Sequence, residues 1–200
     1  MRMRKCLWTL LPAVLVAGAA VGAPRPVRRH ASTLTDIVGR LRAGGADGRE
    51  LVDAAMAEVC AAFPYDSVWH LWETPAKALA GGRGWSHQYN TILLRVLRLL
   101  GFEARLVHAA RVRGWRRPWF FTSHTWVKVR LDGRWVDACA SRPGNRVGDL
   151  GFLPVSDELP YRGSTRYTVP LALAPFVVAA VWRARLGGRD VPDWVYHARG

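Results

Sequence analysis

The stretch that decides the fold is residues 82–141, which read Gly82-Arg83-Gly84-Trp85-Ser86-His87-Gln88-Tyr89-Asn90, an apolar run to Leu100, Gly101-Phe102-Glu103-Ala104-Arg105, and then His124-Thr125-Trp126-Val127-Lys128-Val129-Arg130-Leu131-Asp132-Gly133-Arg134-Trp135-Val136-Asp137-Ala138-Cys139-Ala140-Ser141. A hydroxyl residue heads the apolar run, a histidine opens an alternating segment, and polar residues follow on its return. This order is typical of a site made of a nucleophile, a base and a residue that orients the base.

The apolar run predicts the central helix of the domain. Residues 86–100 are apolar on nearly all sides, and a helix of this kind is buried. Gly101 is the expected stop, because glycine adopts the left-handed conformation that ends many helices.

Three strands are predicted after this helix, at 105–112, 124–131 and 134–140. Asp132-Gly133 is a strong type I′ hairpin turn, and a two-residue turn there sets the pairing register. Lys128 then lies opposite Asp137, which predicts a cross-strand ion pair. His124 lies opposite Ser141 and diagonal to Cys139.

The remaining segments predict further helices and one loop. The helices are expected at 32–41, from 47 or 48 to 63, at 75–81 and at about 175–186. The loop is expected at 113–123, where Trp115, Trp119, Phe120 and Phe121 stand among arginines. Its aromatic side chains either form a contact surface or pack on the sheet.

The N-terminal residues 1–29 resemble a targeting segment, and residues 30–200 are expected to form a single domain. Met1-Arg2-Met3-Arg4-Lys5 precedes an uncharged stretch and a small-residue Ala17-Gly18-Ala19 site. This pattern predicts an exported or membrane-anchored protein. A buried N-terminal helix in a cytoplasmic protein is the alternative.

Composition limits the partners. Half of the 200 residues are apolar, and 29 Lys and Arg against 15 Asp and Glu give a net charge of +14. The charge suits an acidic partner, a membrane surface or simple solvation. Nucleic acid is not favoured, since no motif for it is present.

The three cysteines, Cys6, Cys60 and Cys139, do not form a disulfide framework. Two separate buried thiols at 60 and 139 are favoured over a bridge between them. No CxxC or HExxH spacing occurs, so no metal or other cofactor is predicted.

Ser86 is the candidate nucleophile, because the N–H groups and dipole of a helix start stabilise an anion. A plain N-cap serine is the competing interpretation. His124 is the candidate base, and Asp137 or Cys139 is the candidate third member.

A family resemblance joins these features. The segments Gly84-Trp85-Ser86, Leu99-Leu100-Gly101-Phe102-Glu103-Ala104-Arg105, His124-Thr125-Trp126-Val127 and Gly133-Arg134-Trp135-Val136 resemble a transglutaminase-like core domain, which belongs to the papain-like Cys–His–Asp superfamily. Arg83-Gly84-Trp85 is also similar to arylamine N-acetyltransferases. The resemblance implies an α+β fold with a central helix packed on an antiparallel sheet and flanking helices.

The resemblance also implies roles for the candidate residues. The family's nucleophilic cysteine falls on Ser86, its base on His124 and its aspartate on Cys139. Asp137 matches only with an offset of two residues. Serine is a much weaker nucleophile than a thiol, and a thiol at 139 orients an imidazole poorly.

Two functions follow as expectations. The first is a degenerate, weakly active or inactive relative that binds a peptide or protein in its cleft, with Trp115–Phe121 at the contact. The second is a hydrolase or acyltransferase acting on amide or ester bonds, in which Ser86 attacks, His124 is the base and Asp137 or Cys139 orients it. A role exchange, with Cys139 attacking and His124 activating it, is a third arrangement.

Overall fold

The structure is a computed structural model that describes residues 32–67, 70–114, 117–161, 165–192 and 195–198. The predictions for residues 1–29 and for Trp115 lie outside these residues. The side chains of residues 117–122 also lie outside them, so the interpretation of the aromatic loop side chains stays a prediction.

The chain has helices before, within and after the segment 82–141. Their bounds are α1 Leu34–Ala43, α2 Gly48–Ala62, α3 Pro75–Gly81, α4 Ser86–Leu99 and α5 Thr165–Leu186. The first four agree with the predicted helices to within two residues at either end. Helix α5 begins well before the predicted 175, because the strong helix formers at 171–174 continue the helix between Pro170 and Pro175. None of the helices in the described part of the chain combines the length and apolar character needed to cross a membrane.

The strands form two sheets. Their bounds are β1 Tyr65–Ser67, β2 Arg83–Gly84, β3 Ala104–Gly114, β4 Arg117–Leu131, β5 Arg134–Ala138, β6 Phe152–Pro154, β7 Glu158–Pro160 and β8 Tyr196–Ala198. The larger sheet is antiparallel in the order β5-β4-β3-β6, and β7 also pairs with β3. The smaller sheet has the order β2-β1-β8 and joins the C-terminal end to the segment before α4.

The β4–β5 hairpin has the predicted register. Lys128 pairs with Asp137, and Val127 pairs with Ala138. Asp132 and Gly133 have φ angles of 50° and 76°, as a type I′ turn requires. The register therefore places His124 and Cys139 at the open end of the hairpin and Asp137 nearer to its turn.

The loop predicted at 113–123 is wrong at the level of the backbone. Strand β3 continues to Gly114 and β4 begins at Arg117, with Val112 paired to Thr122 and Arg113 to Phe121. A β-bulge between Ala109 and Val112 shifts the register there. The bulge lets the long hairpin twist and continue, and the sequence pattern gave no sign of it.

The core lies between α1, α2, α4 and the larger sheet. Helix α4 is buried along most of its length, as its composition predicted. Val127 and Val129 of β4 are fully buried in the same cluster. The predicted α+β architecture, with a central helix on an antiparallel sheet and helices at both ends, is confirmed.

A second, smaller cluster covers the head of α4. Leu71, Val177, Val181 and Val195 are buried together, and Trp85 packs against them. Trp85 immediately precedes Ser86, so the C-terminal helix closes over the start of the central helix.

Candidate functional site

Ser86 is the first residue of α4 and is only 2% exposed. The N-cap is Trp85, so the interpretation of Ser86 as a plain N-cap serine is wrong. Gly84 allows the close approach of the chain here, because an added Cβ would lie 3.1 Å from the Phe63 ring and 3.2 Å from Gln88 Oε1. A side chain at position 84 would therefore displace the turn that presents Ser86.

Gln88 fixes this turn from inside the protein. Its Oε1 accepts a hydrogen bond from Trp85 N at 2.7 Å, and its Nε2 donates to His70 O at 2.6 Å and Glu73 O at 2.9 Å. Gln88 and its neighbour His87 are both buried. Gln88 thus satisfies a free N–H at the helix start and ties the segment 70–73 to it.

His124 lies at the open end of the β4–β5 hairpin. Its Nε2 is 3.2 Å from Cys139 Sγ. The ring stacks on Trp126, with centroids 6.3 Å apart, and makes a T-shaped contact with Phe152, with centroids 4.6 Å apart. The imidazole is therefore held by one thiol and two aromatic rings.

Cys139 is fully buried and not part of a disulfide, and Cys60 is also a buried thiol. The prediction of two separate thiols is confirmed. Asn90 Nδ2 donates to Cys139 Sγ at 3.4 Å, which places the sulfur between the Asn90 amide and the His124 imidazole.

Asn90 is the site residue that the sequence analysis missed. It is fully buried; its Nδ2 also donates to Thr125 O at 2.7 Å, and its Oδ1 accepts from Ala140 N at 3.1 Å. It therefore connects α4 to both strands of the hairpin. The available signal was its position one turn after Ser86, since residues four apart share a helix face.

Asp137 has different partners. Its Oδ1 accepts from Trp126 Nε1 at 2.8 Å and lies 2.8 Å from Lys128 Nζ, as the predicted cross-strand pair requires. Lys128 also pairs with Glu158 at 3.0 Å. Burial alone would lower the pKa of Lys128, but hydrogen bonds to Asp137 and Glu158 and their charges raise it above its ordinary value.

Of the predicted residues, His124 and Cys139 are brought into contact, and Ser86 lies one helical turn from Asn90, which touches Cys139. The Ser86 hydroxyl makes no hydrogen bond to any residue in the described part of the chain. Asp137 is bound to Trp126 and Lys128 instead of to the imidazole.

Two further histidines lie near this region. His108 Nδ1 is 3.5 Å from Thr125 Oγ1, and burial lowers the pKa of His108, opposed in part by a hydrogen bond with the backbone of His124. His70 Nδ1 is 2.5 Å from the hydroxyl of Ser67, which is buried in β1. Within the described ranges, no group of three or more His, Cys, Asp and Glu side chains is placed to bind a metal ion.

The chemistry of the site follows from the thiol. A carboxylate at position 139 would accept the Nε2 proton and leave Nδ1 as a base. With the thiol as the donor, His124 Nε2 is the acceptor, and the sulfur still accepts from Asn90. The neutral ring then carries its proton on Nδ1, the nitrogen that would otherwise act as the base.

Comparison with known proteins agrees with this architecture. The family model of the transglutaminase-like superfamily matches residues 35–139, a little more than half of the chain. No match was found among curated proteins.

A solved structure described as a crystal structure of a TGase is 13% identical, with a TM-score of 0.43, and the match covers 68% of this chain. The chain spans 36% of the length of that protein. The matched family region begins in α1, ends at Cys139, and contains Ser86, Asn90 and His124. The chain belongs to the transglutaminase-like superfamily.

Proposed function

We propose that this chain is a catalytically degenerate transglutaminase-like domain that binds a peptide or protein at the head of α4 instead of transferring an acyl group. The observation that carries the proposal is the contact between His124 Nε2 and Cys139 Sγ. A thiol occupies the place at the ring where a catalytic site needs an acid.

The chemistry of serine makes this substitution decisive. A serine hydroxyl attacks a carbonyl only when a base takes its proton. The thiol of Cys139 favours the imidazole form that has no basic nitrogen left for Ser86. Asp137 does not replace it, since its carboxylate is bound to Trp126 and Lys128.

The surface near Ser86 supports binding. Trp72 is 57% exposed and lies in the segment 70–73, which Gln88 ties to the first turn of α4. An exposed tryptophan is a common anchor for peptides. With a net charge of +14 on the chain, acidic peptides are the favoured class.

The catalytic part of the proposal is tested with a fluorophosphonate probe, which labels serines that have an active base. We expect no labelling of Ser86 in the wild-type protein, measured by mass spectrometry of the tryptic peptides. Ser86→Ala is the matched control. Labelling that disappears in Ser86→Ala would contradict the proposal and establish the Ser–His hydrolase or acyltransferase.

The binding part is tested by selection from a phage-displayed library of random peptides. We expect enriched acidic peptides whose affinity falls roughly tenfold in Trp72→Ala, because a truncated aromatic anchor costs on the order of 1–2 kcal/mol. Trp135→Ala is the control, since Trp135 is an exposed tryptophan on β5, away from the segment 70–73. No enrichment, or equal loss in both variants, would contradict binding at this surface.

A further inference from the structure

We propose that Cys139 is a latent nucleophilic thiol, activated by His124 and Asn90 and covered by Phe152, which small alkylating electrophiles modify when Phe152 moves aside. This goes beyond the proposed function, because it concerns a different nucleophile and does not require Ser86.

The first support is the pair of groups around the sulfur. His124 Nε2, at 3.2 Å, is placed to take the thiol proton, and Asn90 Nδ2, at 3.4 Å, donates to the sulfur. A thiolate next to an imidazolium and an N–H donor is the state in which cysteine is nucleophilic. Cys60, the other buried thiol of the described residues, lies on α2 in the apolar core.

The second support is the position of Phe152 next to the thiol. The ring of Phe152 makes T-shaped contacts with the rings of His124 and Trp126, with centroids 4.6 Å and 5.4 Å apart. Extending the register by one residue from Val127 and Ala138 puts Trp126 opposite Cys139. Phe152 therefore lies on the two rings that flank the thiol, which is itself fully buried.

The third support is that Phe152 belongs to a short strand at the edge of the larger sheet. Phe152 is only partly buried and begins β6, a strand of three residues at the edge of the larger sheet. Asn145 holds the segment in place by accepting from Gly151 N at 3.2 Å and donating to Cys139 O at 2.9 Å. Short edge elements open locally at much lower free energy than the core.

The reaction with iodoacetamide balances without a further reactant. The Cys139 proton passes to His124 Nε2, and the sulfur lone pair forms a bond to the methylene carbon. The carbon–iodine bond breaks and iodide leaves with its electron pair. The imidazolium then loses its proton to water.

The test is the rate of iodoacetamide labelling at each cysteine, read by peptide mass spectrometry. We expect Phe152→Ala to raise the rate at Cys139 roughly tenfold or more, because local opening limits reaction of a buried thiol. Leu153→Ala is the control, since Leu153 is the next residue of β6 and is 40% exposed. Cys60 reports on global unfolding and should stay at its wild-type rate.

A second variant separates activation from exposure. Adding His124→Gln to Phe152→Ala should lower the Cys139 rate again by roughly tenfold, because the proton acceptor is lost. The proposal is overturned if Phe152→Ala matches Leu153→Ala, if Cys60 and Cys139 accelerate together, or if His124→Gln leaves the rate unchanged. Fluorophosphonate labelling of Ser86 is independent of all three outcomes, so failure here and failure of the proposed function are distinguishable.

Discussion

The β4–β5 hairpin carries a carboxylate towards its turn and a thiol at its open end, and the two differ sharply in their surroundings. Asp137 is partly exposed and neutralised by Lys128, with Trp126 donating to it. Cys139 is fully buried between His124 and the amide of Asn90. Cys139 is only two positions after Asp137, directly beyond the end of β5.

The difference shows that the position of a side chain along a strand decides which residue it can contact. Moving two residues along a strand keeps the same face but shifts a side chain by about 7 Å, beyond hydrogen-bond reach. An acid at 137 therefore cannot serve an imidazole whose neighbour is residue 139. Position along the strand decides the third member of the site, and the presence of an aspartate nearby does not.

The largest expected effect comes from Asn90→Ala, which removes the amide that joins α4 to the open end of the hairpin. The change leaves Thr125 O and Ala140 N without their buried partner, and each unsatisfied group costs about 1–3 kcal/mol. We expect a loss of about 3 kcal/mol in the free energy of unfolding, measured by urea denaturation. Arg95→Ala, an exposed change on the same helix, should stay within about 0.5 kcal/mol of wild type. Equal losses would contradict the assigned role of Asn90.

Placing a carboxylate at position 139, at the open end of the hairpin, should give a reactive thiol at position 86. In the double variant Ser86→Cys with Cys139→Asp, the carboxylate accepts from His124 and leaves a basic nitrogen for the new thiol at position 86. We expect iodoacetamide to label position 86 roughly tenfold faster than in Ser86→Cys alone. Ser86→Cys with Cys139→Ser is the uncharged control. Equal rates in the three variants would show that His124 does not reach position 86.

Removing the carboxylate near the hairpin turn, with Asp137→Asn, should lower the free energy of unfolding by less. The pair with Lys128 is partly exposed and screened by solvent, so we expect a loss of about 1 kcal/mol or less in urea denaturation. The raised pKa of Lys128 means that this contribution is present at neutral pH and is lost as pH rises through the folded-state value. Labelling of Cys139 should not change. A change there would mean that Asp137 acts on the open end.

The smallest expected effect is a change in how the stability of the protein depends on pH. Burial lowers the pKa of His108 in the folded state below its ordinary value of about 6.5. The unfolded chain then binds more protons than the folded protein, so His108 supports stability above about pH 6.5 and this support is lost as pH falls towards the folded-state value. His108→Gln should flatten the fall in urea midpoint between about pH 7 and about pH 5. An unchanged slope would assign the acid sensitivity to other groups.

Local patterns predicted most of the fold. Asp132-Gly133 set the hairpin register and hence the Lys128–Asp137 pair, and the apolar stretch 86–100 located the central helix. The extension of β3 and β4 into the expected loop was not predictable, because the pairing of the two strands stabilises residues that individually favour neither state. Asn90 was not predicted as a site residue because its partners, Thr125 O and Ala140 N, lie 35 and 50 residues further along the chain.

The sequence by itself determined helices α1 to α4, the β4–β5 hairpin, the family resemblance and the presence of serine at position 86, where the family has cysteine. These depend on periodicity, turn chemistry and residue identity, which are local properties of the chain. Only the tertiary structure decided that Cys139, which the hairpin register had placed diagonal to His124, meets the imidazole, because that contact depends on how the side chains pack at the open end of the hairpin. It also decided that Phe152 packs against the His124 ring, since the segment after β5 returns to the sheet and pairs with β3 as β6.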